Sequence, residues 1–158
     1  MVREFLLLLL VCCVQPLAAL AQQSDGSRQA ALKTINTDLS EANRLEAFNR
    51  LEQTGGLDAN QISRSICDTA PALRAAALRA GEAFAGKDAD LELRLLALCN
   101  DHAAQVQLQL LESLPKFHHP KAAPALRSLL AKLQASSDAN VRAAAEAAAK
   151  AASGTNPQ

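Results

Sequence analysis

The chain has no tryptophan and no tyrosine, and its 158 residues carry no net charge, with 16 Lys+Arg against 16 Asp+Glu. A balanced chain has no positive field to attract phosphate backbones, so a nucleic-acid partner has no electrostatic support. No sizeable block of like charge occurs. Strand-like alternation of apolar and polar residues is missing too, and the apolar content is mostly Ala and Leu, which favours helices; Ala in particular is depleted in strands. No Cys-x-x-Cys pair, Cys-x-x-Cys-His haem-attachment site, Gly-x-Ser-x-Gly, Gly-rich phosphate loop or His-Glu-x-x-His occurs, so the motif-borne forms of redox, nucleophilic, nucleotide and zinc chemistry have no foothold.

What is present begins with a targeting pattern. Arg3 and Glu4 precede an apolar run from Phe5 to Val14, closed by Gln15 and Pro16, and Ala19-Leu20-Ala21 supplies small residues ahead of a polar stretch. That is the layout of a cleavable secretory signal, and the run is shorter than the roughly 20 apolar residues a membrane span needs. Residues 1–21 are therefore expected to direct export to the periplasm or the medium. Residues 22–30 should form a flexible segment, 31–152 one helical domain and 153–158 a disordered tail. No membrane span is expected after cleavage.

Four segments align on one basic or amide residue. They are Glu41 to Phe48, Pro71 to Leu78, Ala104 to Leu111 and Ala139 to Glu146, with Arg44, Arg74, Gln107 and Arg142 in register. An Asp stands six positions before three anchors, as Asp38, Asp68 and Asp101, and in the fourth segment Asp138 lies four before Arg142. Each Asp is placed to begin a helix, and Asp38 with Glu41 has the form of a capping box. Apolar stripes at helical spacing surround the anchors, such as Leu45, Phe48 and Leu51. Further helices are expected between them, around Ala31 and Ile35, Ile62 and Ile66, Leu91 and Leu95, and Leu126 to Leu133. Gly55-Gly56, Gly86 and the stretch Pro115 to Pro120 separate the pairs.

A helix pair every 30-odd residues, with Asp six before Arg, resembles the HEAT-repeat (armadillo-like) family. The resemblance covers about Ala31 to Ala152. It implies an all-α fold, a short right-handed solenoid of about four helix pairs. It also implies an Asp/Arg ladder between neighbours, which maps onto Asp38, Arg44, Asp68, Arg74, Asp101, Asp138 and Arg142. Gln107 departs from that pattern and leaves the ladder neutral or broken there. The wording from Val106 to Leu114, and from Lys121 to Leu126, is similar to HEAT segments of exported bacterial dehydrogenase proteins that carry a cytochrome c module.

Little else points to chemistry. His118 and His119 lie in a Pro-bounded linker without acidic neighbours, and His102 follows Asp101, so all three are read as surface residues rather than metal ligands. Cys67 and Cys99 sit on the edge where helices within a pair are joined, in adjacent pairs. A disulfide and two ordinary buried thiols both suit that placement. The last aligned helix, Val141 to Ala152, is nearly all Ala and makes a thin end to a helical array. No catalytic, cofactor-binding or metal-binding residue is assigned. The expected function is a non-catalytic scaffold that binds another protein. The alternative is an accessory or detached segment of an exported haem- or quinone-dependent dehydrogenase system. Amino-terminal sequencing of the exported protein is expected to begin at Gln22; a membrane-held chain retaining Met1 would mark an uncleaved anchor instead.

Overall fold

The computed structural model describes residues 25–154, the last three by backbone alone. The signal sequence at 1–21 and most of the tail, 155–158, lie outside the described residues. Among the described residues there are eight α-helices and no strand. Residues 25–37 form α1, followed by α2 (Glu41–Gln53), α3 (Ala59–Ser65), α4 (Pro71–Gly81), α5 (Ala89–Leu96), α6 (Ala104–Ser113), α7 (Ala123–Gln134) and α8 (Ala139–Gly154). Two boundaries differ from the sequence reading. Residues 25–30, assigned there to a flexible segment, belong to α1, and α8 continues through 153 and 154.

Helices α2, α3, α5 and α8 start where a short polar side chain replaces the missing intrahelical acceptor, whereas α4, α6 and α7 follow an alanine without a side-chain cap. The Gln61 amide donates to Asp58 Oδ1 at 2.8 Å, that of Leu91 to Asp88 Oδ1 at 2.9 Å, and that of Val141 to Asp138 Oδ1 at 3.1 Å. At α2 the cap is Ser40, whose Oγ accepts from Asn43 N at 3.4 Å. The Asp38/Glu41 capping box is thereby corrected, because Asp38 lies two residues before the cap and its carboxylate accepts from Ser40 N and the Asn43 side chain instead. Pro71 and Pro124 sit in first turns, where no amide is needed. At the end of α2, Gly55 takes φ 67°, its amide donating to Glu52 O and that of Gly56 to Leu51 O. This paired closure of the last carbonyls needs a left-handed residue, which Gly supplies without steric cost.

The described residues fall into two compact units divided between Gly56 and Leu57. In the first, Ala31, Ile35, Ala47, Phe48 and Leu51 are buried, and Arg28 Nε donates to Gly56 O at 3.1 Å. In the second, α3 packs on α4 and α7 on α8; the even helices meet in sequence, α4 on α6 and α6 on α8, while α3 touches α5 and α5 touches α7. Leu73, Leu78, Leu95, Val106, Leu110 and Val141 are fully enclosed. One aligned position changes character along the chain. Phe48, Leu78 and Leu111 are buried, whereas Glu146 in the same register is exposed.

One close contact between α4 and α5 is set by a missing side chain. A Cβ on Gly81 would stand 2.4 Å from Leu95 Cδ1, and Leu95 is itself fully buried. Gly81→Ala is therefore expected to destabilise the chain by about 1–3 kcal/mol through overpacking, despite the better helix propensity of Ala. Urea denaturation checks this; a more stable variant would show that Leu95 has room to move.

Candidate interaction groove

The turns ahead of α2, α4, α6 and α8 share one hydrogen-bond scheme. In each, the side chain of the aligned anchor donates to the backbone carbonyl six residues upstream. Arg44 Nη1 reaches Asp38 O at 3.0 Å, Arg74 Nη1 reaches Asp68 O at 2.8 Å, Gln107 Nε2 reaches Asp101 O at 2.7 Å and Arg142 Nη1 reaches Ser136 O at 2.7 Å. The residue at that upstream position also closes a tight polar turn, its side chain accepting from the amide two residues on. Asp38 accepts from Ser40 N, Asp68 from Ala70 N and Asp101 from Ala103 N, all within 2.7–2.9 Å, and Ser136 Oγ accepts from Asp138 N at 3.3 Å. The ladder position of the fourth segment is therefore Ser136 and not Asp138. A serine hydroxyl closes the same kind of turn, and Asp138 is released to cap α8.

Between neighbouring turns the contacts differ. Arg74 Nε and Nη2 grip Asp101 Oδ2 and Oδ1 at 2.6 and 2.8 Å, a two-pronged ion pair whose side chains are only 16% and 6% exposed. The hydrogen bonds from Arg74 hold the Asp101 carboxyl below the usual carboxylate range, against the opposing effect of burial. One step on, Gln107 Oε1 accepts from Ser136 Oγ at 3.2 Å. That rung is intact and neutral. Asp38 in the first unit is also held below its usual range, first by the Ser40 amide and then by the Asn43 side chain.

Beside the neutral rung opens a groove of about 610 Å³, within the size range of ligand pockets. The third helix pair contributes Cys99, Asp101, His102 and Gln107, and the fourth contributes Lys132, Ser136, Ser137 and Asp138. Lys132 Nζ donates to Asn100 Oδ1 at its edge. Burial pushes the Cys99 thiol above its ordinary value, so at neutral pH it is a protonated, weakly nucleophilic group. The first unit has a smaller recess of about 290 Å³, formed by α1 and α2 around Ala31, Thr34, Asp38, Glu46 and Arg50.

Cys67 and Cys99 are separate free thiols. Cys67 is exposed and its Sγ turns back along its own chain to Ser63 O at 3.7 Å, which corrects both the bridged and the buried-pair expectations. His102 and His118 are exposed, and His118 Nδ1 lies 2.7 Å from Lys116 O. His119 is tied down by a residue the sequence did not single out. Glu92, buried on α5, accepts from His119 N at 2.9 Å and from Gly86 N at 3.0 Å, bolting the Pro-bounded linker to the turn before α5. Among the described residues no group of three or more His, Cys, Asp or Glu is placed to hold a metal ion, and no helix is long and apolar enough to cross a membrane. Comparison with family models, curated proteins and solved structures finds no match to the chain.

Two outcomes are expected. Asp101→Asn should cost about 1.5–3 kcal/mol at neutral pH, the worth of a hydrogen bond to a charged group. A carboxyl with a lowered folded pKa contributes stability above its unfolded value, roughly 3.9, and loses it as pH falls through the folded value. The gap between wild type and variant should therefore close on acidification below that range, read by urea denaturation at stepped pH; a constant gap would exclude the ion pair as its source. In thiol labelling of the native protein, Cys67 should react before Cys99, and denaturation should expose two reactive thiols. Finding none would establish a bridge.

Proposed function

We propose that the chain is an exported, non-catalytic scaffold that binds another protein. In this reading its helix pairs stack as a short HEAT-like solenoid, and the groove beside Gln107 receives an extended segment of the partner. The observation that carries it is the groove itself. It opens on the edge formed by the inter-helix turns, its walls are anchored by hydrogen bonds to helix starts, and its volume suits a peptide side chain with its backbone. Walls fixed in this way lose little freedom on binding, which favours affinity. The even-on-even and odd-on-odd packing of α3 to α8 also supports a stacked array, and arrays of this kind bind through surfaces spanning several helix pairs. Exposed Glu146, where buried Phe48, Leu78 and Leu111 precede it, suits the polar end such an array requires.

Site-specific photo-crosslinking in the producing cells tests the proposal. A photoreactive residue at Ser137 should capture a protein, and the same residue at Glu112, outside the groove lining, should not. Equal capture at both positions, or none at Ser137, would overturn the groove as the binding surface.

A further inference from the structure

Resting on that reading, the structure carries the chemistry of the occupant one step further. Arg74 and Arg142 each span two successive carbonyls of their own turn, with Nη1 on Asp68 O and Thr69 O in one case and on Ser136 O and Ser137 O in the other. Gln107 stands in the same register but is shorter and has one amide nitrogen, which it spends on Asp101 O. The second carbonyl of that turn, His102 O, receives no hydrogen bond from any described residue. The groove lies there, lined by both Gln107 and His102. Across it stands Asp138, whose Oδ1 accepts from Asn140 N and Val141 N, while its Oδ2 has no partner among the described residues.

We infer that the groove is an arginine-side-chain site, in which a guanidinium from the partner takes the place that the chain's own arginine occupies in the neighbouring turns. A planar cation with five donors matches two acceptors of this kind, a carbonyl and a free carboxylate oxygen, better than an ammonium does. The attraction is directional rather than a bulk charge effect. Asp101 is already neutralised by Arg74, and Lys132 on the groove wall balances Asp138. Selectivity comes from the positions of His102 O and Asp138 Oδ2.

The test uses three capped tripeptides, acetyl-Gly-X-Gly-amide with arginine, lysine or the neutral isostere citrulline at X, titrated into isotopically labelled full chain above the ordinary histidine pKa. The arginine peptide should shift the amide signals of His102, Ser137 and Asp138, with about tenfold weaker binding for lysine and for citrulline. Gln107→Arg supplies the guanidinium internally and should weaken the arginine peptide by at least about tenfold. It should still unfold cooperatively, though somewhat below wild type, because arginine serves at this register in the same chain while Ser136 loses its acceptor on Gln107. Asp138→Asn, which keeps an oxygen for the α8 cap, should also weaken binding. Equal binding of citrulline, unchanged binding by Gln107→Arg, or no shift with any peptide overturns the inference. If Gln107→Arg still captures its partner through a photoreactive Ser137, the scaffold reading stands and the guanidinium assignment alone falls.

Discussion

One hydrogen bond organises the described helices, from the side chain in the first turn of each even-numbered helix to the backbone carbonyl six residues upstream. A tight turn between helices leaves carbonyls facing away from any regular partner, and such groups must be satisfied by something. The anchor side chain does this and fixes the direction from which the helix departs. With four departures set alike, the helices that follow present the same register, and Leu73, Val106 and Val141 arrive at equivalent enclosed positions. The ion pair of Arg74 with Asp101 and the neutral pair of Gln107 with Ser136 are built on top of that arrangement, Asp101 Oδ1 and Ser136 Oγ each serving both the turn and the contact to the neighbouring segment.

This dependence explains which features could be read in the chain. The anchors Arg44, Arg74, Gln107 and Arg142 were legible because their job needs a long donor at a fixed spacing. The residue six before each anchor was only partly legible. Its essential atom is a carbonyl, which every residue has, so Ser136 fills the position and the aspartate pattern pointed to Asp138 instead. Helix starts were displaced for a related reason, since Asp38 serves the turn while Ser40 serves the helix. Glu92 was illegible altogether. Its partners, Gly86 N and His119 N, are backbone groups of two separate loops, and backbone groups leave no mark in a pattern of side chains. The thiols depended on side-chain direction, which chain position does not encode.

The groove illustrates how a single shorter side chain creates a surface. Every wall residue belongs to a helix end or a turn that exists for structural reasons, and the opening stands where Gln107 replaces the arginine of the other segments. No loop is lengthened to make it and no unusual backbone is needed; among the described residues positive φ is confined to Gly55 and Gly86. Chemical character enters through what the shorter residue leaves undone, a carbonyl without a donor beside a carboxylate used on one oxygen.

Glu146 has a consequence for what can be laid against the last described helix. The position that holds a buried phenylalanine and two buried leucines earlier carries an exposed, ionised group on α8. Covering it without a charged or hydrogen-bonding partner would cost several kcal/mol. Any surface that closes over this side of α8 must therefore bring a cation or a donor to Glu146, a demand that the apolar side chains in the same register of α2, α4 and α6 never make.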